Sequence, residues 1–468
     1  MLFNNPSFFI FFTFCILFLS VGTKKQKKYI LLFCSYLFYG LWDWRFLSLI
    51  IFSSIIDFKI GKSIYNCTKP KKAKTLLKLS IIINLTILCF FKYFNFFLDT
   101  FYSIFLTNHI SALNIILPIG ISFYTFQSMS YSIDIYLKKV KPANNLLDFL
   151  NFISFFPQLI AGPIERTNRL LPQLENFNGL KLKNFKPAFI LMFIGYIKKV
   201  LVSDNIAQII DNYFVNFNSL DSIYAFSGLI LFSFQIYFDF SGYSDIARGL
   251  AKFLGIDLVI NFKQPYFSTS PSEFWRRWHI SLSEWLKDYL YIPLGGNRKG
   301  TKRTYINLMI TMLLGGLWHG ASFNFILWGG LHGIYLIIYK FSLSYFKTSK
   351  TEPTFSINKI ISVLFMNFLI LITWIPFRTP DLSSALSFFE SILFWRGNVD
   401  ISEIGFIFSI FFIWILIDFP AYFLKDELYL MRLPTWLISS IIFVGVVGII
   451  LSMLTTNNFH RPFIYFQF

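Results

Sequence analysis

The sequence predicts an all-α, polytopic membrane protein. Two observations carry this expectation. The chain of 468 residues is 55% hydrophobic and 21% aromatic, with a mean hydropathy of +0.58. Only 14% of it is charged, against about 25% in a soluble domain. Apolar runs of membrane-spanning length recur along it, at 6–22, 79–99, 358–377, 403–424 and 436–454. They are too long and too uniformly apolar for the alternating strands of an outer-membrane barrel. About ten to twelve spans are expected, in one membrane domain over residues 1–468.

The first run, 6–22, could pass for a signal peptide. Its flanking lysines (Lys24, Lys25, Lys27, Lys28) follow it, however, and no small-residue cleavage site is evident. It reads as a retained first span with its N-terminus outside. The next apolar region is broken at GLWDWRF, 40–46, so two helices joined there form a hairpin. That hairpin puts the lysine clusters at 24–28 and 69–74 on one side, the cytoplasm. Lys138, Lys139 and Lys141, and then NRKGTKR at 297–303, mark further cytoplasmic loops.

A net charge of +18 invites a nucleic-acid reading. The basic residues instead sit in short clusters between spans, where they face anionic lipid, so no nucleic-acid partner is expected. Cys15, Cys34, Cys67 and Cys89 have no metal-ligand spacing and read as buried thiols.

Three passages are too polar or too broken for plain spans. They are LPIGISFYTFQSMSYSIDIY (117–136), FFPQLIAGPIER (155–166) and FQIYFDFSGYSDIARGLAKFLGI (234–256). Such backbone at membrane depth must be buried in protein or line a wet cavity. Asp245 and Arg248, three apart, read as a helix ion pair. For Asp239, between Phe238 and Phe240, a structural bond and a substrate contact both stand.

The segment 270–300, SPSEFWRRWHISLSEWLKDYLYIPLGGNRKG, reads as an amphipathic helix at the inner surface. Trp275, Trp278 and Leu282 share one of its faces, and Arg276 shares another with Lys287. Arg276 and Arg277 suit phosphate, either of lipid headgroups or of a cytosolic acyl donor.

The apolar run from about Tyr305 carries His319, fourteen residues on. A helix advances about 21 Å over that distance, so His319 lies deep in a ~30 Å core. A buried imidazole is costly without a partner or a task, and it is the natural general base near neutral pH. Gly315, Gly316 and Gly320 permit close helix approach or a substrate channel. His332, thirteen residues further, does not form a metal spacing, and no metal site is expected. His109 and His460 fall near segment ends and read as interfacial.

The residues alone leave an enzyme, a proton-coupled transporter or flippase, and a scaffold open. Longer motifs add a resemblance. QIYFDFSGYSDIARGLAKFLGI, FWRRWHISLSEWLKDYLYIPLGG and GGLWHGASFNFILWGGLHG occur in this order. With PIGISFYTFQSMSYSIDIY, FFPQLIAGPIER and the terminal FIYFQF, they resemble the membrane-bound O-acyltransferase (MBOAT) family. The branch is that of the alginate and peptidoglycan O-acetyltransferases. The resemblance is strong over about residues 115–340 and looser at the ends.

The resemblance implies a ring of tilted helices around a thinned centre with a tunnel. It implies that His319, in WHG, and His279, in RWH, are catalytic. Arg276, Arg277, Asp239 and Trp318 are then expected to bind substrate. It further implies an inner-membrane, multi-pass enzyme that binds no cofactor permanently and takes acetyl from cytosolic acetyl-CoA. Its acceptor is an extracytoplasmic polysaccharide, reached through a periplasmic SGNH-type acetyltransferase. The related D-alanyl transfer protein, with an acyl carrier protein as donor, is the alternative.

Overall fold

The computed structural model describes residues 3–105, 113–160, 162–217, 221–345, 356–455 and 463–464. His109 and His460 lie outside the described residues, as does most of the terminal FIYFQF. The described residues are helical, with no strand among them. Six helices are long and apolar enough to cross a membrane. Four of the five long apolar runs fall inside them, and the fifth forms the shorter apolar helix Pro6–Ser20.

The chain divides into two compact units, Met1–Ile194 with Tyr243–Val259, and Gly195–Gly242 with Ile260–Phe468. In the first, α1 (Pro6–Ser20) starts behind Asn5, whose side chain accepts from the Ser7 N–H. Helix α2 (Lys24–Asp43) starts in a capping box between Thr23 and Gln26. The break expected at 40–46 is present. Asp43 leaves the helical region at φ −157°, accepts from the Arg45 N–H, and the chain restarts as α3 (Leu47–Tyr65). Helix α4 (Pro70–Phe105) follows.

Lys28 pairs with Asp148 at 2.5 Å. Lys62 donates to the Asn144 carbonyl at 3.5 Å. These contacts gather the start of α2, the end of α3 and the 144–148 segment at one end of the unit, as the lysine clusters require. The polar passages are satisfied internally. On α5 (Ile121–Tyr136), Gln127 donates to the Phe152 carbonyl at 2.7 Å and accepts from Gln158 at 2.6 Å. Cys15 and Cys34 are buried, whereas Cys67 is intermediate and Cys89 exposed, so the expectation of buried thiols holds for two of the four. Cys89 lies on the apolar outer side of α4, where a thiol needs no cover.

Helix α6 (Ser222–Phe253) is shared, its first part in the second unit and its last turns in the first. Of its most apolar window 83% is buried, against 17% for Thr435–Leu454. Helix α6 therefore runs through protein, while the C-terminal helix shows its apolar sides outward, as a lipid-facing span does. Asp245 and Arg248 on α6 form the expected i, i+3 pair, at 3.4 Å.

The second unit holds the histidines. Helix α7 (Pro271–Arg277) begins behind Ser270, which caps the Glu273 N–H, with Pro271 at the first position. Next come α8 (Ile280–Leu286), α9 (Thr301–His319), α10 (Phe323–Tyr345), α11 (Ile357–Arg378) and α12 (Ile401–Leu424). Helices α9 and α10 form a tight hairpin over three residues. A Cβ on Gly316 would strike the Phe325 carbonyl, and one on Gly329 the Met312 carbonyl, so only glycine allows the two backbones to touch. At the other end of the pair, Asn324 donates to the Thr379 carbonyl at 2.7 Å, which sets α11 antiparallel to α10.

Candidate active site

The expected amphipathic helix over 270–286 is not continuous. It stops at Arg277, Trp278 is extended, and His279 takes a left-handed conformation (φ 43°, ψ 53°) before α8 begins. The cause lies far away in sequence. The segment 261–263 captures the freed backbone: Ile280 N–H donates to the Asn261 carbonyl and Lys263 N–H to the Arg277 carbonyl, both at 2.9 Å. The Asn261 side chain then accepts from both the N–H and the hydroxyl of Ser281. A non-glycine residue at positive φ is strained, and such strain collects at functional positions. Here it turns the His279 ring inward, where the residue is fully buried.

The turn brings His279 to the end of α9. Its ring meets the Trp318 indole at 5.8 Å, and the His319 ring meets the same indole at 5.1 Å. The sequence reading placed these histidines at different depths; the structure places both against one side chain. On its far side His279 stands edge-on to Phe240 at 4.6 Å. His319, 3% exposed, is walled by Trp328 at 4.9 Å and Phe377 at 5.4 Å. Two imidazoles thus face a water-poor aromatic chamber, in which proton transfer and charge stabilisation gain strength.

Sequence reasoning passed over part of this chamber. Trp328 lies between two histidines, 4.9 Å from His319 and 4.6 Å from His332. His332 is buried and also meets Trp275 at 5.1 Å. Its Nε2 has no hydrogen-bond partner among the described residues. The i, i+4 spacing of Trp328 and His332 on the helix after WHG was the available signal. Among the described residues no three His, Cys, Asp or Glu side chains gather as a metal ion would need.

The other expected site residues separate. Asp239 spends both oxygens on protein: one pairs with Lys199 at 2.5 Å, and the other accepts from the Ile464 N–H at 2.7 Å. Lys199 also pairs with Asp204 at 2.9 Å. These are the bonds of a structural role. They still bear on the chamber, because Phe463, next to Ile464, packs on Phe240 at 5.2 Å. Arg277 donates to Glu273 at 2.9 Å and to the Lys263 carbonyl at 3.0 Å, and lies over the Tyr422 ring at 5.1 Å. Arg276 points elsewhere: it is exposed and reaches only Ser272, at 3.4 Å.

Comparison with known proteins agrees with this geometry. Residues 31–377 match the family model described as MBOAT, membrane-bound O-acyltransferase family, a wider stretch than the motifs alone covered. The chain is 39% identical over 406 residues to a Pseudomonas putida protein named "Probable alginate O-acetylase AlgI", covering 86% of this chain and 82% of the relative. It is 36% identical over 430 residues to the peptidoglycan O-acetyltransferase of Helicobacter pylori, covering 85% and 80%. A teichoic acid D-alanyltransferase of Bacillus subtilis is 29% identical over 261 residues, covering 52% and 63%.

Proposed function

Since the chain belongs to the membrane-bound O-acyltransferase family, we propose that it moves acetyl from a cytosolic thioester to an extracytoplasmic polysaccharide at the His279–Trp318–His319 chamber. Its relatives named for alginate and peptidoglycan cover most of both chains, so a polysaccharide hydroxyl is the acceptor class. The donor in this reading is acetyl-CoA. A periplasmic SGNH-type acetyltransferase carries the acetyl group on to the polymer, and the enzyme sits in the bacterial inner membrane.

The observation that carries the reading is the meeting of both histidines on Trp318. His319 takes the hydroxyl proton as that oxygen attacks the thioester carbonyl. The C–S bond breaks as the ester forms, and the imidazolium returns the proton to the leaving thiolate. His279 stabilises the oxyanion or positions the thioester, and Trp318 holds the two rings in register. Arg277 steadies donor phosphates, whereas exposed Arg276 serves lipid headgroups. Asp239 acts through the Lys199 and Ile464 bonds that fix Phe463 beside Phe240.

Release of labelled acetate from acetyl-CoA by the purified protein tests the reading. A transporter leaves the thioester intact. A donor preference for D-alanyl carrier protein would instead favour the chemistry of the more distant relatives.

A further inference from the structure

A second cavity in the unit that holds the histidines, of about 1220 Å³, is unused by the chemistry above. It lies where α11 begins and α12 ends. Lys263, Arg277, Lys359 and Lys425 line it, along with the acids Glu273, Asp426 and Glu427. Two of those acids are engaged: Glu273 holds Arg277, and Asp426 takes Arg432 at 2.6 Å. Lys263 and Lys425 have no carboxylate partner among the described residues. Tyr422 forms the floor, stacked on Phe267 at 4.7 Å, with the Arg277 and Lys359 charges 5.1 and 5.6 Å from its centroid.

The backbone is strained here too. Four non-glycine residues have positive φ among those described: Lys138, Gln264, His279 and Lys425. Gln264 and Lys425 line this cavity, and His279 lines the chamber. Strain of this kind persists at ligand clamps because the surrounding structure holds it.

Position supplies the last argument. Lys359 and Phe377 stand eighteen residues apart on α11, or about 27 Å along the helix, and Phe377 touches His319. Aromatic contacts run between the two ends, from Phe267 to Trp414 at 4.8 Å, and from Trp278 to Trp374 at 5.3 Å. A ligand with phosphate at one end and a thioester on an extended arm spans that separation.

We infer that this basin binds the phosphate-bearing nucleotide end of the thioester donor, through Lys263, Arg277, Lys359 and Lys425. The inference rests on the acyl-transfer reading above. Phosphate chemistry is shared by an anionic lipid headgroup, so the test separates the two sources. The probe is radiolabelled adenosine 3′,5′-bisphosphate, bound to purified protein in neutral detergent and again with added phosphatidylglycerol. Lys359→Gln and Lys425→Gln should each weaken binding about tenfold, the loss expected for one charge-assisted contact. Higher salt should weaken it further. Lys302→Gln, which does not line the basin, should bind as wild type.

His319→Ala should also bind the probe as wild type. A failure of the histidine chemistry is therefore read separately from a failure of the basin. Wild-type affinity in both lysine variants overturns the proposal. So does displacement of the probe by phosphatidylglycerol at the lipid's ordinary bilayer fraction, which would make the basin a headgroup site.

Discussion

Lys199 and Asp239 form an ion pair at 2.5 Å, with each side chain 3% exposed. Asp204 shares the same ammonium, so one lysine compensates two buried carboxylates. Removing one partner of such a group leaves an uncompensated buried charge, at about 3–5 kcal/mol. Lys199→Met should therefore lower the thermal midpoint of the detergent-solubilised protein sharply. Adding Asp204→Asn and Asp239→Asn to it should recover much of the loss. If Lys199→Met alone unfolds at the wild-type temperature, the network has no structural role.

His319→Ala should abolish polysaccharide acetylation while the protein still inserts and folds. Loss of a general base costs ~10²–10⁴-fold in rate. His279→Ala should reduce transfer as well, because its ring shares the Trp318 indole with His319. Acetyl content of the cell-surface polymer reads both. Retention of more than about half the wild-type level by His319→Ala, where a lost base predicts ~1% or less, would leave His319 a packing residue.

How much of this was legible in the sequence follows from what each signal depends on. Spans were readable because hydropathy and length are local: the run 403–424 is the helix Ile401–Leu424. The break at Asp43 was readable because Trp, Asp and Arg interrupt an apolar run, and Asp43 caps the turn itself. The break at His279 was not, because the groups that hold it open belong to Asn261 and Lys263. Nothing within 270–286 announces them, and the spacing of Trp275, Trp278 and Leu282 suits a helix. Trp328 was missed for a similar reason. Its place between His319 and His332 depends on the Gly316–Gly329 contact that closes the hairpin. The ion partners of Asp239 come from Lys199 and Ile464, 40 and 225 residues away in sequence.

The lysine clusters at 24–28, 69–74, 138–141 and 297–303 should face the cytoplasm. In the first unit, Lys28 and Lys62 both reach the 144–148 segment, so those clusters share one end. Single cysteines placed in each loop, in a protein lacking Cys15, Cys34, Cys67 and Cys89, should resist an impermeant thiol reagent in intact cells. They should label after permeabilisation. Labelling of the 297–303 loop from outside would put the start of α9 on the wrong face and reverse the direction of transfer.

Glu165, in the GPIER stretch, gives the fold a pH dependence. Its carboxyl is completely buried and accepts from the Val259 N–H at 2.5 Å. Burial pushes it up to about 7, against the opposing pull of that N–H, of Arg169 and Arg248, and of the Arg166 N–H. The folded value thus exceeds the ordinary 4.5, and the native state holds a proton that the unfolded chain releases. The stabilisation is complete below pH 4.5 and is lost as pH rises through about 7. Its upper bound is about 3 kcal/mol, from the separation of the two values. Glu165→Gln keeps an oxygen for the Val259 N–H but cannot ionise. The thermal midpoint of wild-type protein should fall between about pH 5 and pH 8, and that of the variant should fall less. Parallel curves for the two proteins would show that Glu165 is ionised in the native state throughout this range, with Arg169 and Arg248 outweighing its burial.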